Sequence, residues 1–217
     1  MYSTKERFLS KCDSSLRKYI AYVGILFLLT IPLSLFGQKQ YEKGFVVLNN
    51  QDTLYGFVRD RKPSPFGRLY KKIRFKGEKG RSKYGPEQIR AYRKGGIIFE
   101  SVWMQETGHF LSQNYTSIAN VGEQRFLKVV VKGYLTYYQW EFEDADSDYI
   151  DAIDLFKKKD DTSLIRVTQG LFGLKRKSLK RFFKDCPPLV KKLEKKEFKH
   201  PIDVANFYNS WKGSQSR

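Results

Sequence analysis

Seven carboxylates fall between Glu141 and Asp154, with no basic residue among them. Asp144, Asp146 and Asp148 stand two apart, the spacing of the first ligands in a helix–loop–helix calcium site, where hard carboxylate oxygens meet the ion. That template needs glycine at its sixth place and glutamate at its twelfth, and these hold Tyr149 and Leu155. The three aspartates are weak metal candidates for this reason. The run reads better as an acidic, solvated connector that offsets a basic tail.

Cys186 is the next candidate. A helix N-terminus and nearby lysines would lower its thiol pKa. A thiol nucleophile also needs a base, and His109 and His200 lie in no recognisable Cys-His pattern. Cys186 shares an apolar stripe with Phe182, Phe183, Val190 and Leu193, which favours a small buried side chain over catalysis. No Gly-x-Ser-x-Gly elbow and no Gly-x-x-x-x-Gly-Lys-Ser/Thr phosphate loop occurs. Glu87, Glu100, Glu106 and Glu123 could supply a glycosidase pair, but nothing in their spacing selects two of them. Trp103, Phe110, Tyr134, Tyr138 and Trp140 could stack on a sugar or a base. At a period of two they fill a core face more naturally. No cofactor is implied, so no catalytic or cofactor-binding residue is assigned and the small-molecule ligand stays open.

These residues sit on two kinds of element. From Phe45 to Phe142, β-branched and aromatic runs alternate with turn residues. Phe45–Leu48 and Thr53–Val58 flank an Asn/Asp turn, Ile89–Arg93 and Ile97–Val102 flank Gly95-Gly96, and Phe126–Val131 and Tyr134–Phe142 flank Lys132-Gly133. Each pair reads as a hairpin. Beyond Ser178 the apolar residues recur at steps of three or four. That periodicity predicts a helix over Ser178–Lys184, a second capped by Asp185 with Pro187-Pro188 in its first turn, and a third from about Pro201. The expected fold is α+β: an antiparallel β-sheet or open barrel domain followed by a small basic helical tail.

The chain of 217 residues carries 41 Lys+Arg against 23 Asp+Glu, a net charge of +18. Two cysteines exclude a disulfide-dense scaffold and a four-cysteine zinc site. Tyr19 to Phe36 is free of charge and follows Lys5, Arg7, Lys11, Arg17 and Lys18. This is the pattern of a secretory signal cleaved after Gly37, with an uncleaved membrane anchor as the alternative. Either reading exports the remainder, because the positive flank stays inside. Three regions follow: 1–37 as signal or anchor, 38–154 as a β-rich domain, and 155–217 as a basic helical region. The last two hold net charges of +4 and +11.

KGFVVLNNQDTLYGFV, from Lys43 to Val58, and FFKDCPPLVKKLEKKEFKHPIDVANFYN, from Phe182 to Asn209, resemble stretches of uncharacterised exported proteins of Bacteroidetes-type bacteria. The resemblance implies an envelope location and a β-then-α order, and it implies no activity.

The sequence is therefore read as an exported periplasmic or envelope protein, non-enzymatic, that binds an anionic surface or a protein partner. The tail residues Lys180, Arg181, Lys184, Lys191, Lys192, Lys195 and Lys196 are its candidate contacts. The partners expected are anionic lipid, lipopolysaccharide or an acidic envelope protein, and not nucleic acid. An envelope glycan-acting enzyme and a structural or assembly factor are the alternatives.

Overall fold

The computed structural model describes residues 41–62, 69–107, 114–143, 150–168 and 173–215. All lie in one compact unit, Tyr41–Arg217. Asp144, Asp146, Asp148, His109 and Phe110 lie outside the described residues, as does the apolar segment Tyr19 to Phe36. Among the described residues no helix is long and apolar enough to cross a membrane.

The described residues begin with eleven antiparallel strands. They are β1 (Glu42–Leu48), β2 (Thr53–Arg61), β3 (Leu69–Gly77), β4 (Gly80–Tyr84), β5 (Ile89–Lys94) and β6 (Ile97–Thr107), then β7 (Asn114–Thr116), β8 (Glu123–Val131), β9 (Leu135–Glu143), β10 (Ile150–Lys158) and β11 (Ser163–Arg166). Their order is β4-β3-β2-β1-β5-β6-β7-β11-β10-β9-β8, with a further pairing of β6 to β8. The three expected hairpins form at the expected turns. Gly95 turns the second of them at a φ of +58°, where a side chain would be strained.

The barrel is closed, not open. β6 is eleven residues long and is shared by two structures. Its first residues pair with β5, Phe99 to Met104 pair with β8, and Gln105 to Thr107 pair with β7. The six strands β6, β7, β11, β10, β9 and β8 thereby close on themselves and leave no edge between β6 and β8. Leu127, Tyr138, Leu155 and Leu164 fill the interior with Val102 and Met104. The strands β1 to β5 extend from β6 as a separate curl. Its own core holds Val46, Val58, Ile73, Ile89, Tyr92 and Phe99, and the Tyr92 and Phe99 rings stack at 4.6 Å.

Among the described residues the helices are α1 (Arg176–Phe182), α2 (Pro187–Glu194) and α3 (Pro201–Gln215). Strand structure continues to Arg166, so β10 crosses the boundary expected at residues 154 and 155, and β11 lies wholly beyond it. The reason is that β10 is buried on both sides. Leu155 faces the barrel interior and Phe156 faces the helices, both fully buried, so the alternation that marks a half-exposed strand is lost. Tyr137 and Tyr138 on β9 divide in the same way.

Cys186, not Asp185, is the N-cap of α2, and no side chain caps it. Pro187 and Pro188 fit there because first-turn N–H groups need no partner within the helix. α3 is fastened to the barrel by Asn209, which accepts from the Leu135 N–H at 2.7 Å and donates to the Leu135 carbonyl at 2.9 Å. The side chain thus mimics a strand partner. It lies 2.6 Å from where a Cβ on Gly133 would stand, so this turn admits glycine alone without movement.

Candidate anion-binding groove

The last residue of β10, Lys158, reaches toward the helices. Its ammonium donates to the Phe182 carbonyl at 2.7 Å, satisfying a free carbonyl at the end of α1. It also pairs with Asp185 at 2.6 Å and lies 4.7 Å from the Phe182 ring centre. Asp185 accepts a second hydrogen bond, from Tyr208, at 2.7 Å. Burial alone would raise the Asp185 carboxyl, but Lys158 and Tyr208 outweigh it and hold the group below the ordinary aspartate value.

Between this junction, β7, β11 and α1 lies a groove of about 900 Å³. Lys158, Lys175, Arg176, Lys177, Arg181 and Lys184 line it, against the carboxylates Asp161 and Asp185. Both carboxylates are engaged. Asp161 accepts the Ser163 N–H at 2.8 Å, and Asp185 is held as described. Arg176 donates to the Phe198 carbonyl at 3.1 Å. Among the described residues no carboxylate pairs with Lys175, Lys177, Arg181 or Lys184. Burial and then the neighbouring Arg166 charge lower the Lys175 ammonium below the ordinary lysine value. That destabilisation of the Lys175 charge is one a bound anion would relieve.

The seven expected tail residues do not form one surface. Arg181 and Lys184 line the groove. Lys180 pairs with Glu194 at 3.0 Å and Lys192 with Glu197 at 2.5 Å, which ties α1 to α2 and α2 to the segment after it. Lys191, Lys195 and Lys196 are exposed on and after α2, and Lys196 takes a φ of +59° where the helix has ended. Lys158, Lys175 and Lys177 were missed. Lys158 was hidden in a strand that reads poorly, and the other two precede the recognised apolar stripe.

The carboxylates Glu87, Glu100, Glu106 and Glu123 are not brought together. Glu100 holds Lys132 and accepts from Tyr138, Glu123 pairs with Arg125, and Glu87 lies 3.8 Å from Lys72. Two other carboxylates converge instead, Asp60 and Glu141, both on Arg61. Asp60 also takes Lys94 at 2.6 Å and lies near the Tyr92 hydroxyl. Burial pushes the Asp60 carboxyl up, and the bonds from Arg61 and Lys94 bring it below the ordinary value. A carboxylate held ionised by two cations is a poor general acid. The cluster joins β2, β5 and β9 as a part-buried ionic clasp.

Cys186 is fully buried among Leu179, Phe183, Leu189 and Tyr208, and burial raises its thiol. Trp103, Tyr134 and Tyr138 line one depression of about 820 Å³, but Tyr138 is buried and bonded to Glu100, and Trp140 packs with the barrel interior. Among the described residues no three His, Cys, Asp or Glu side chains are grouped for a metal. No protein-family model, no curated protein and no solved structure matches this chain.

Proposed function

We propose that this protein is an exported, non-catalytic envelope component that binds an anionic group, and that the groove beside α1 is the binding place. The observation that carries the reading is the set of four cations there, Lys175, Lys177, Arg181 and Lys184, which no carboxylate of the described residues offsets. A groove of about 900 Å³ accommodates a phosphorylated headgroup or a cluster of acidic side chains. Anionic lipid, lipopolysaccharide and an acidic envelope protein all present such groups.

Fractionation of native cells tests this. The protein is expected in the envelope fraction, with its N-terminus at Gln38 if the leading segment is cleaved and at Met1 if that segment is an anchor. In the cleaved case high salt releases it, because the Debye length shrinks from about 10 Å at 0.1 M to about 3 Å at 1 M. In either case Lys177→Glu combined with Arg181→Glu weakens capture of an anionic ligand by envelope-extracted protein. Recovery of the native protein from the cytosol would contradict the proposal.

A further inference from the structure

We propose that the exposed face of the β1–β4 curl, continued onto β5 and the start of β6, docks on the surface of an anionic phospholipid bilayer. The face is defined by register. Val46, Val58, Phe75, Tyr92 and Phe99 point into the curl's core, so the alternate positions point away from it. One cross-strand row there runs Arg81, Lys76, Phe57, Lys43. The next runs Tyr55, Phe45, Arg93, Ile98. A third places Lys83, Arg74 and Arg59 side by side, with Arg74 stacked 4.2 Å from the Tyr70 ring centre. No aspartate or glutamate occupies a position on this face in β1 to β5.

The apolar members stand out rather than in. Tyr55 is 71% exposed, Phe57 41% and Ile98 40%. Lys43, Lys76 and Arg93, against the single carboxylate Glu78, surround Tyr55 and Phe57 at a shallow depression of about 520 Å³. Aromatic rings with lysine and arginine beside them suit the headgroup layer, where the ring partitions into the interface and the cation meets phosphate. Two features favour lipid over other polyanions. The strand positions of this face in β1 to β5 offer no carboxylate or carboxamide to accept hydrogen bonds from sugar hydroxyls, and the nearest carboxylates, Glu78 in the β3–β4 turn and Glu100 on β6, stand at its margins. It also presents Ile98 and the half-buried Val47, aliphatic groups that stack on neither a base nor a sugar but bury readily among acyl chains.

This surface is separate from the groove beside α1, and the two are distinguishable. The test is co-sedimentation of the chain from Gln38 onward, which contains every residue of the three cores. The vesicles are phosphatidylcholine alone or with about one-third phosphatidylglycerol, at about 0.1 M and about 1 M salt. Binding is expected only to the anionic vesicles and only at the lower salt. Lys43→Glu/Lys76→Glu/Arg93→Glu should lower partition about 100-fold and Tyr55→Ser/Phe57→Ser about tenfold, with unchanged melting temperatures. Lys177→Glu/Arg181→Glu should leave vesicle binding intact. Vesicle binding that survives both face variants, or no binding to anionic vesicles at low salt, would overturn the proposal. So would a triple reversal that abolished binding to single-stranded DNA while sparing vesicles.

Discussion

The Tyr208 hydroxyl donates a 2.7 Å hydrogen bond to Asp185 across 23 residues of sequence. It links the turn before α2 to the middle of α3, and Lys158 brings β10 to the same carboxylate. The Asp-Cys-Pro and Tyr-Asn sequences of the tail are therefore one structural junction. Tyr208 closes it on Asp185, and the adjacent Asn209 fastens α3 to Leu135. Tyr208→Phe removes one hydrogen bond and keeps the ring against Phe183. The expected loss is about 1 kcal/mol in urea unfolding, and a loss below the error of measurement would show the bond to be idle.

The same carboxylate gives a pH dependence of known sign. The Asp185 group lies below its ordinary value in the folded protein. Its contribution is present above the unfolded value of about 4 and is lost as pH falls through the folded value. Asp185→Asn should therefore lower stability at neutral pH and flatten the acid limb of the stability curve below about pH 4. An acid limb as steep as that of the natural protein would remove Asp185 from the junction's energetics.

Asp60 is 3% exposed and balanced by Lys94 and Arg61. Lys94→Met leaves that charge undercompensated and should cost about 3–5 kcal/mol, while Asp60→Asn in the same chain should restore much of the loss. Additive single effects in the double-mutant cycle would contradict a coupled clasp.

Gly133→Ala should destabilise the turn between β8 and β9, because the new methyl meets the Asn209 side chain. Asn209→Ala should cost about 1–3 kcal/mol by unpairing Leu135. Added to it, Gly133→Ala should cost less than in the natural chain. An equal cost in both backgrounds would place the strain elsewhere.

The hairpins were legible because each is local, with its turn residues between two β-rich runs. Closure was not, because it depends on β6 pairing with β8 across the three-residue β7. The sequence offers no local sign of a strand that changes neighbours along its length. β10 was obscured by having Leu155 and Phe156 buried on opposite sides. Lysine density located the basic region, but only the ion pairs show that Lys180 ties α1 to α2 and Lys192 ties α2 to the segment after it. Arg181 and Lys184 instead line the groove. The cationic face of β1 to β5 leaves no compositional sign, because the zone's net charge is small while its charges are sorted by face.

The apolar stripe predicts a buried Cys186, and the thiol is buried at the start of α2. Cys186→Ser should cost about 1 kcal/mol or more by burying a hydroxyl, with anion binding unchanged. The folded chain should also shield this thiol from Ellman's reagent until denaturant is added. A variant that loses binding at an unchanged melting temperature would contradict a packing role.

The most direct test of the groove is calorimetric titration of inorganic pyrophosphate into the natural protein and into Lys177→Glu/Arg181→Glu at low salt. Saturable binding by the natural protein is expected, weakened about tenfold or more by the groove variant. Lys191→Glu/Lys195→Glu, whose charges lie outside the groove, should bind as the natural protein does. Absence of binding, or equal binding by the natural and groove-reversed proteins, would contradict an anion site beside α1.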